Sequence, residues 1–177
     1  MRDYMIIGVA GYAASGKDSI ADYLEKKYGF KHLDFFRDIL LSMLRERGLK
    51  EDKMNASVLG NELRQNYGRG ALAKLMAERL IENTDYVITG FRSPEEVEEI
   101  RKKGEFLLLW VWAPLKKRFS RRRDIDPQNI EEFKRRDELD KEKGMDEVFK
   151  SADIIINNEG SIEELHQLID SIMEKLR

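Results

Sequence analysis

The sequence predicts a three-layer α/β fold, a five-stranded parallel sheet with helices on both faces. Three observations predict it. Short apolar runs alternate with helical patterns from end to end, the way parallel strands joined by crossover helices read. The first run, Tyr4 to Ala10, is apolar on both sides, as a strand buried in mid-sheet must be. It leads into Gly11-Tyr12-Ala13-Ala14-Ser15-Gly16-Lys17-Asp18-Ser19, a G-x-x-x-x-G-K loop that opens an amphipathic helix.

That helix places Ile20, Leu24 and Tyr28 on one side and stops at Gly29. A short second strand, Phe30 to Leu33, ends at Asp34. Phe35 to Arg47 carries Phe36, Ile39, Leu40, Met43 and Leu44 at helical spacing. Two further helices follow, one through Val58, Leu59, Leu63 and Tyr67, the other through Leu72, Leu75, Met76 and Leu80. Residues 35–83 therefore read as a helical insertion. The third strand is Asp85 to Gly90. Ser93, Pro94 and Glu96 then form a capping box with proline at N1. Phe106 to Trp112 is the fourth strand, closed by Pro114. A charged stretch over 114–143 precedes a fifth strand, Ala152 to Ile156. Ser161 and Glu164 cap a last helix lined by Ile162, Leu165, Leu168, Ile169, Ile172 and Met173.

The chain has 177 residues, enough for one domain spanning 1–177 with a sizeable core. With 32 basic and 34 acidic residues the net charge is −2, which argues against a nucleic-acid or anionic-membrane partner. There are no cysteines, so disulfides and thiolate metal sites are excluded. The longest apolar run is strand-sized, so no membrane span is expected. Met1-Arg2-Asp3-Tyr4 lacks a signal-peptide layout, and a cytoplasmic location is the expectation.

The chemistry is expected around the loop and at the carboxyl ends of the strands, where parallel sheets bind ligands. Gly11, Ala14, Ser15 and Gly16 would turn backbone N–H groups onto a phosphate chain, helped by the helix N-terminus. Lys17 supplies a point charge for the outer phosphates. Asp18 stands where serine or threonine usually ligates Mg²⁺; a carboxylate oxygen is also a hard ligand, and Mg²⁺ between it and the phosphates would reverse their repulsion. Ser19 would supply that hydroxyl only in a shifted register. The third strand ends in Thr89-Gly90 where a carboxylate is usual. Asp85, at the other end, lies about 13 Å from the ligand edge by strand rise. Asp34 is either an acceptor-oriented base or a helix N-terminal aspartate favoured by the dipole. Arg37, Arg64 and Arg92 are candidates for a substrate phosphate, with Arg69 balanced between that and simple exposure. Arg118, Arg121 and Arg122 share a helical face, and Arg118 and Arg122 are the candidates for stabilising charge on a transferring phosphoryl group. Arg135 and Arg136 are assigned to a solvated face, paired with Glu131, Glu132 and Asp140. His32 and His166 read as surface residues, Trp110 and Trp112 as core.

Together these motifs resemble the P-loop nucleoside-monophosphate kinase superfamily, over nearly the whole chain. Within it the resemblance is to dephospho-CoA kinases, deoxynucleoside-monophosphate kinases and an archaeal adenylate-kinase-related nucleotide-binding family. Gly-Tyr-Ala-Ala-Ser-Gly-Lys-Asp carries the Gly-Lys-Asp variant of the loop, and residues 87–97 resemble an Arg-bearing strand turn. Residues 118–123 fall where these kinases keep a lid. Asn157-Asn158-Glu159-Gly160-Ser161 resembles the Asn-x-Gly-Ser turn that lies against adenine in dephospho-CoA kinases, which brings in Asn158 and Gly160. The resemblance implies ATP and Mg²⁺, a small nucleotide-like or coenzyme-like acceptor such as a nucleoside monophosphate or dephospho-CoA, and a monomer or homodimer. The competing reading is an ATP-binding switch with slow hydrolysis. No Asn-Lys-x-Asp occurs, which favours ATP over GTP.

Overall fold

A computed structural model describes residues 4–176. Five parallel strands form one sheet in the order β2-β3-β1-β4-β5: β1 Met5–Ala10, β2 Lys31–Asp34, β3 Tyr86–Thr89, β4 Glu105–Trp112 and β5 Ile154–Asn157. The helices are α1 Lys17–Tyr28, α2 Ser42–Glu46, α3 Lys53–Tyr67, α4 Ala71–Ala77, α5 Pro94–Arg101, α6 Leu115–Ser120, α7 Ile130–Asp140, α8 Asp146–Lys150 and α9 Ile162–Leu176.

All six residues of β1 are buried, because this central strand has a helical layer on each side. Its alternation divides the core. Ile6 and Ala10 face Leu44, Leu59, Leu72, Met76, Val97 and Ile100. Ile7 and Val9 face Ile20 and Leu24 of α1 and Leu165, Ile169 and Met173 of α9. Gly8 is a packing glycine: a Cβ there would lie 2.8 Å from Phe106 and 3.0 Å from Phe91. Those two rings meet edge-on at 6.1 Å, behind the strand that launches the loop. Asp85 accepts the Met5 N–H at 2.8 Å, joining β1 to the start of β3. That contact matches its reading as a strand-start residue.

Several elements differ from expectation in ways that matter for the site. The expected helix over 35–47 begins as a π-helical segment, Phe35–Leu41, before continuing as α2. The wider turn changes which residues face inward: Phe35, Ile39 and Leu40 are buried, while Phe36 is exposed. Such segments recur at functional sites. On α3, Leu59 and Leu63 are buried, but Val58 and Tyr67 are exposed. Trp110 is core; Trp112, one pleat further, is not. The capping box of α5 forms as read, with Ser93 accepting from Glu96 N–H and Glu96 closing the reciprocal bond. A second π-helical segment, Lys141–Met145, joins α7 to α8.

Candidate active site

The loop between β1 and α1 is held from both sides. Gly16 is in the left-handed region with φ of 111°, and a Cβ there would collide with the Asn158 amide. Asn158 Nδ2 donates to the Ser15 carbonyl at 2.8 Å, so the last turn before α9 braces the loop. Ala14 also takes a positive φ of 60°, a strained conformation for a residue with a Cβ. From the other side, Tyr12 donates its hydroxyl to Asp146 at 3.0 Å and meets Trp110 edge-on at 5.6 Å.

Lys17 Nζ folds back and donates to the Gly11 carbonyl at 2.7 Å. Burial pulls its pKa down to about 8, and the nearby Arg92 guanidinium adds to the effect. An anion binding in the loop would favour the ammonium form and push that value back up. The consequence is a pH-dependent affinity. Above pH 8 the free protein holds a neutral amine that must be protonated before it contacts phosphate. Affinity for a phosphate-bearing anion in the loop is expected to be about 10-fold weaker at pH 9 than at pH 7, from one group titrating near 8. Calorimetric titration at the two pH values checks this.

Two clefts flank the loop. One, about 360 Å³, is lined by Ser15, Gly16, Ser19, Arg121, Asn158 and Gly160, with Ile162 and Leu165 of α9 as an apolar wall. The other, about 470 Å³, lies under the helical layer and takes in Asp34, Phe36, Arg64, Thr89 and Arg92. Ala14, Lys17, Asp18 and Arg123 line both. The second cleft is strongly basic: eight Arg and Lys side chains line it against four aspartates.

Asp34 sits on the floor of this second cleft. Its Oδ1 accepts the Arg37 N–H at 3.0 Å, so it caps the π-helical segment, and its Oδ2 accepts the Thr89 hydroxyl at 2.7 Å. Asp34 is therefore the cap of the π-helical segment and also lines the second cleft. Arg92 reaches Asp140 at 3.4 Å, and Arg64 lies 3.8 Å from the buried Glu96. Glu96 holds the turn through N–H bonds from Arg92 and Ser93, and burial raises its pKa. Arg37 is turned away. It pairs with Asp38 at 2.9 Å and with the His32 carbonyl, and it lines neither cleft.

The arginine stretch is the largest departure from expectation. Helix α6 ends at Ser120, so Arg118, Arg121 and Arg122 do not continue along one face. Arg118 is buried. It grips Asp137 with both terminal nitrogens, at 3.0 and 2.5 Å, and donates to the carbonyls of Ala113 and Ala13. Arg122 stacks on Phe119, 4.0 Å from the ring centre, and bonds Gln128. Neither lines a cleft. The arginines the fold brings to the clefts are instead Arg121, Arg123 and Arg136. Arg136 is not paired with Glu131, Glu132 or Asp140; it donates to Asp126 at 2.7 Å. Asp126 is buried, which alone would raise its pKa, but the Arg123 N–H and the Arg136 guanidinium hold it below the ordinary carboxylate range. The signal available in the sequence was the Asp-Pro turn at 126–127, which lies between α6 and α7 and offers Arg123 and Arg136 one carboxylate.

Asp18 is exposed on the wall common to both clefts, 3.9 Å from Arg123. Its hard oxygens suit a divalent cation that keeps most of its ligands as phosphate and water oxygens. Among the described residues no group of three or more His, Asp or Glu is placed to hold a metal without such help. Ser19 is exposed beside it and lines the smaller cleft only. No helix among the described residues is long and apolar enough to cross a membrane.

Known proteins agree with this architecture. A family model described as "AAA domain" matches residues 7–142. A UPF0200 protein of Aeropyrum pernix is 33% identical over 165 residues, covering 91% of this chain and 88% of its own. A UPF0200 protein of Sulfurisphaera tokodaii is 31% identical over 178 residues, with 97% of each chain covered. Among solved structures, shikimate kinase from Aquifex aeolicus superposes with a TM-score of 0.58 at 17% identity, covering 96% of both chains. That likeness shows a P-loop kinase-like fold. The chain belongs to the family described as AAA domain and to the UPF0200 proteins.

Proposed function

We propose that this protein is an ATP- and Mg²⁺-dependent phosphotransferase acting on a small, anionic, nucleotide-like or coenzyme-like acceptor. The observation that carries the reading is the pair of clefts meeting at one wall of Ala14, Lys17, Asp18 and Arg123. A donor in the smaller cleft and an acceptor in the larger one would have their reacting ends at that wall. Such positioning is the main source of rate in phosphoryl transfer.

In this reading the loop N–H groups and Lys17 bind the donor phosphates, and the apolar wall of α9 receives the base beside Asn158 and Gly160. Arg64 and Arg92 hold an anionic group of the acceptor. The surplus of basic side chains favours a phosphate-bearing acceptor over a neutral one. Arg123 and Arg136 stabilise charge at the common wall, and Asp34 orients the acceptor oxygen. Bound Mg²⁺ would neutralise charge between Asp18 and the phosphates. Residues 35–83 then form the acceptor-binding layer and 114–143 the lid.

The test is ADP release measured with ATP against a panel of nucleoside monophosphates, dephospho-CoA and shikimate. Stimulation by a phosphate-bearing acceptor supports the reading. ATP binding with no stimulation by any acceptor overturns it in favour of a nucleotide-controlled switch. Asp18→Ala is expected to blunt the Mg²⁺ dependence of turnover while leaving metal-free nucleotide binding within about threefold, since an exposed carboxylate repels phosphate weakly. A Mg²⁺ titration of variant and wild type checks it, and superimposable curves would remove Asp18 from the metal.

A further inference from the structure

Behind Asp34 the structure holds a chain of polar groups that runs from the cleft to the outer strand. Thr89 is buried, its hydroxyl 2.7 Å from Asp34 Oδ2 and 2.8 Å from His32 Nε2. The three residues come from adjacent strands: Asp34 pairs with Thr89 in the β2–β3 register, and His32 lies one pleat back on β2. Asp34 and Thr89 line the acceptor cleft, whereas His32 does not and is half-buried on the outer strand. A threonine hydroxyl has one proton. When it donates to Asp34 it must accept from Nε2–H, and the opposite polarity runs with Nε2 unprotonated.

We propose that Thr89 and His32 are positioning residues that orient Asp34 and carry a proton away from it, and that the acceptor oxygen is therefore an alcohol hydroxyl. This rests on the phosphotransferase reading and narrows its acceptor. A phosphate oxygen is already an anion and has no proton to remove, so a buried relay behind the carboxylate has a use only when an O–H attacks. As the acceptor oxygen bonds phosphorus and the bond to the departing ADP oxygen breaks, the hydroxyl proton moves to Asp34. Thr89 takes that proton and passes its own to His32 Nε2, and the imidazolium returns a proton to water. The transfer therefore runs from the Nδ1–H tautomer, whose unprotonated Nε2 accepts the Thr89 proton. The charged and titratable groups around His32 are few. Glu25 of α1 accepts its backbone N–H at 3.3 Å. Arg37 donates to its carbonyl at 3.2 Å and is itself paired with Asp38. Asp34 lies beyond Thr89.

Two measurements decide it. In steady-state kinetics, Thr89→Val is expected to lower kcat about 100-fold with KM for ATP unchanged, the lower end of a lost acid–base contribution, while Thr89→Ser recovers most of the loss. His32→Gln is expected to lower kcat as well, because an amide donates to Thr89 but takes no proton from it. Wild-type kcat and pH profile in Thr89→Val would overturn the proposal. So would a product phosphorylated only on an acceptor phosphate oxygen, a phosphoanhydride rather than a phosphate ester. The second measurement needs no substrate. The chain has two histidines, so the His32 imidazole is readily followed by ¹⁵N NMR. Asp34→Asn is expected to change the His32 Nε2 chemical shift, because the Thr89 hydroxyl between them loses its carboxylate acceptor; an unchanged shift overturns the relay. If no acceptor stimulates wild type, the phosphotransferase reading fails, and the NMR result still decides whether the three residues are coupled.

Discussion

Lys17→Ala is expected to lower turnover by about 10²–10³-fold, the loss found when one charge-stabilising donor is removed from a preorganised site. It is also expected to weaken ATP binding, while the thermal midpoint stays close to wild type. The reason is local. In the free protein the ammonium bonds the loop's own Gly11 carbonyl at 2.7 Å, a contact that water replaces at little cost when the side chain is cut back. The phosphates have no such substitute, because Arg123 and Arg92 each already face an aspartate. Coupled ADP release and calorimetry on one preparation measure both quantities. Full activity in this variant would sink the kinase reading.

Arg118→Ala is expected to act on stability first. Arg118 was placed by sequence among the charge-stabilising residues, yet its guanidinium is buried and bonded to Asp137 and to the carbonyls of Ala13 and Ala113. Removing it leaves a mostly buried carboxylate and two carbonyls without partners. Breaking such a pair costs about 3–5 kcal/mol, or roughly 10 °C in thermal midpoint for a chain of this size. Because one of those carbonyls belongs to the loop, activity should fall too, but together with stability. Arg118→Lys should recover little, since an ammonium does not make the two-pronged contact. Arg122→Ala is the control: it loses a stacking contact on Phe119, worth about 0.5–1 kcal/mol where exposed. A stable Arg118→Ala protein with impaired turnover would return Arg118 to a direct catalytic role.

The contrast between these arginines shows what the amino-acid pattern could and could not carry. The loop, the order of strands and helices, and the caps at Ser93 and Gly29 were legible because each is local: a run of apolar residues, a glycine spacing, a side chain three residues from its N–H. Asp34 and Arg92 were legible as strand-end residues for the same reason. The arginines between 118 and 136 were not. Helical spacing put Arg118 and Arg122 together, but α6 ends at Ser120, and direction after that point depends on Asp126 and Asp137 from elsewhere in the chain. Phe36 was likewise read into the core because a π-helical turn has a different period from the one assumed.

By itself, then, the sequence determined a parallel α/β chain with a phosphate-binding loop, and it pointed to Lys17 and Asp18 as adjacent phosphate-side and metal-side residues. Only the tertiary structure decided which cations face the clefts and which are buried braces. It also revealed the chain from Asp34 through Thr89 to His32, residues 55 and 57 positions apart in sequence that become neighbours through strand pairing. The physical reason is range. Backbone propensity and capping act over a few residues and are written in order along the chain. A guanidinium's partner, or a hydroxyl's, is chosen by whichever carboxylate or imidazole the folded layers bring within about 3 Å.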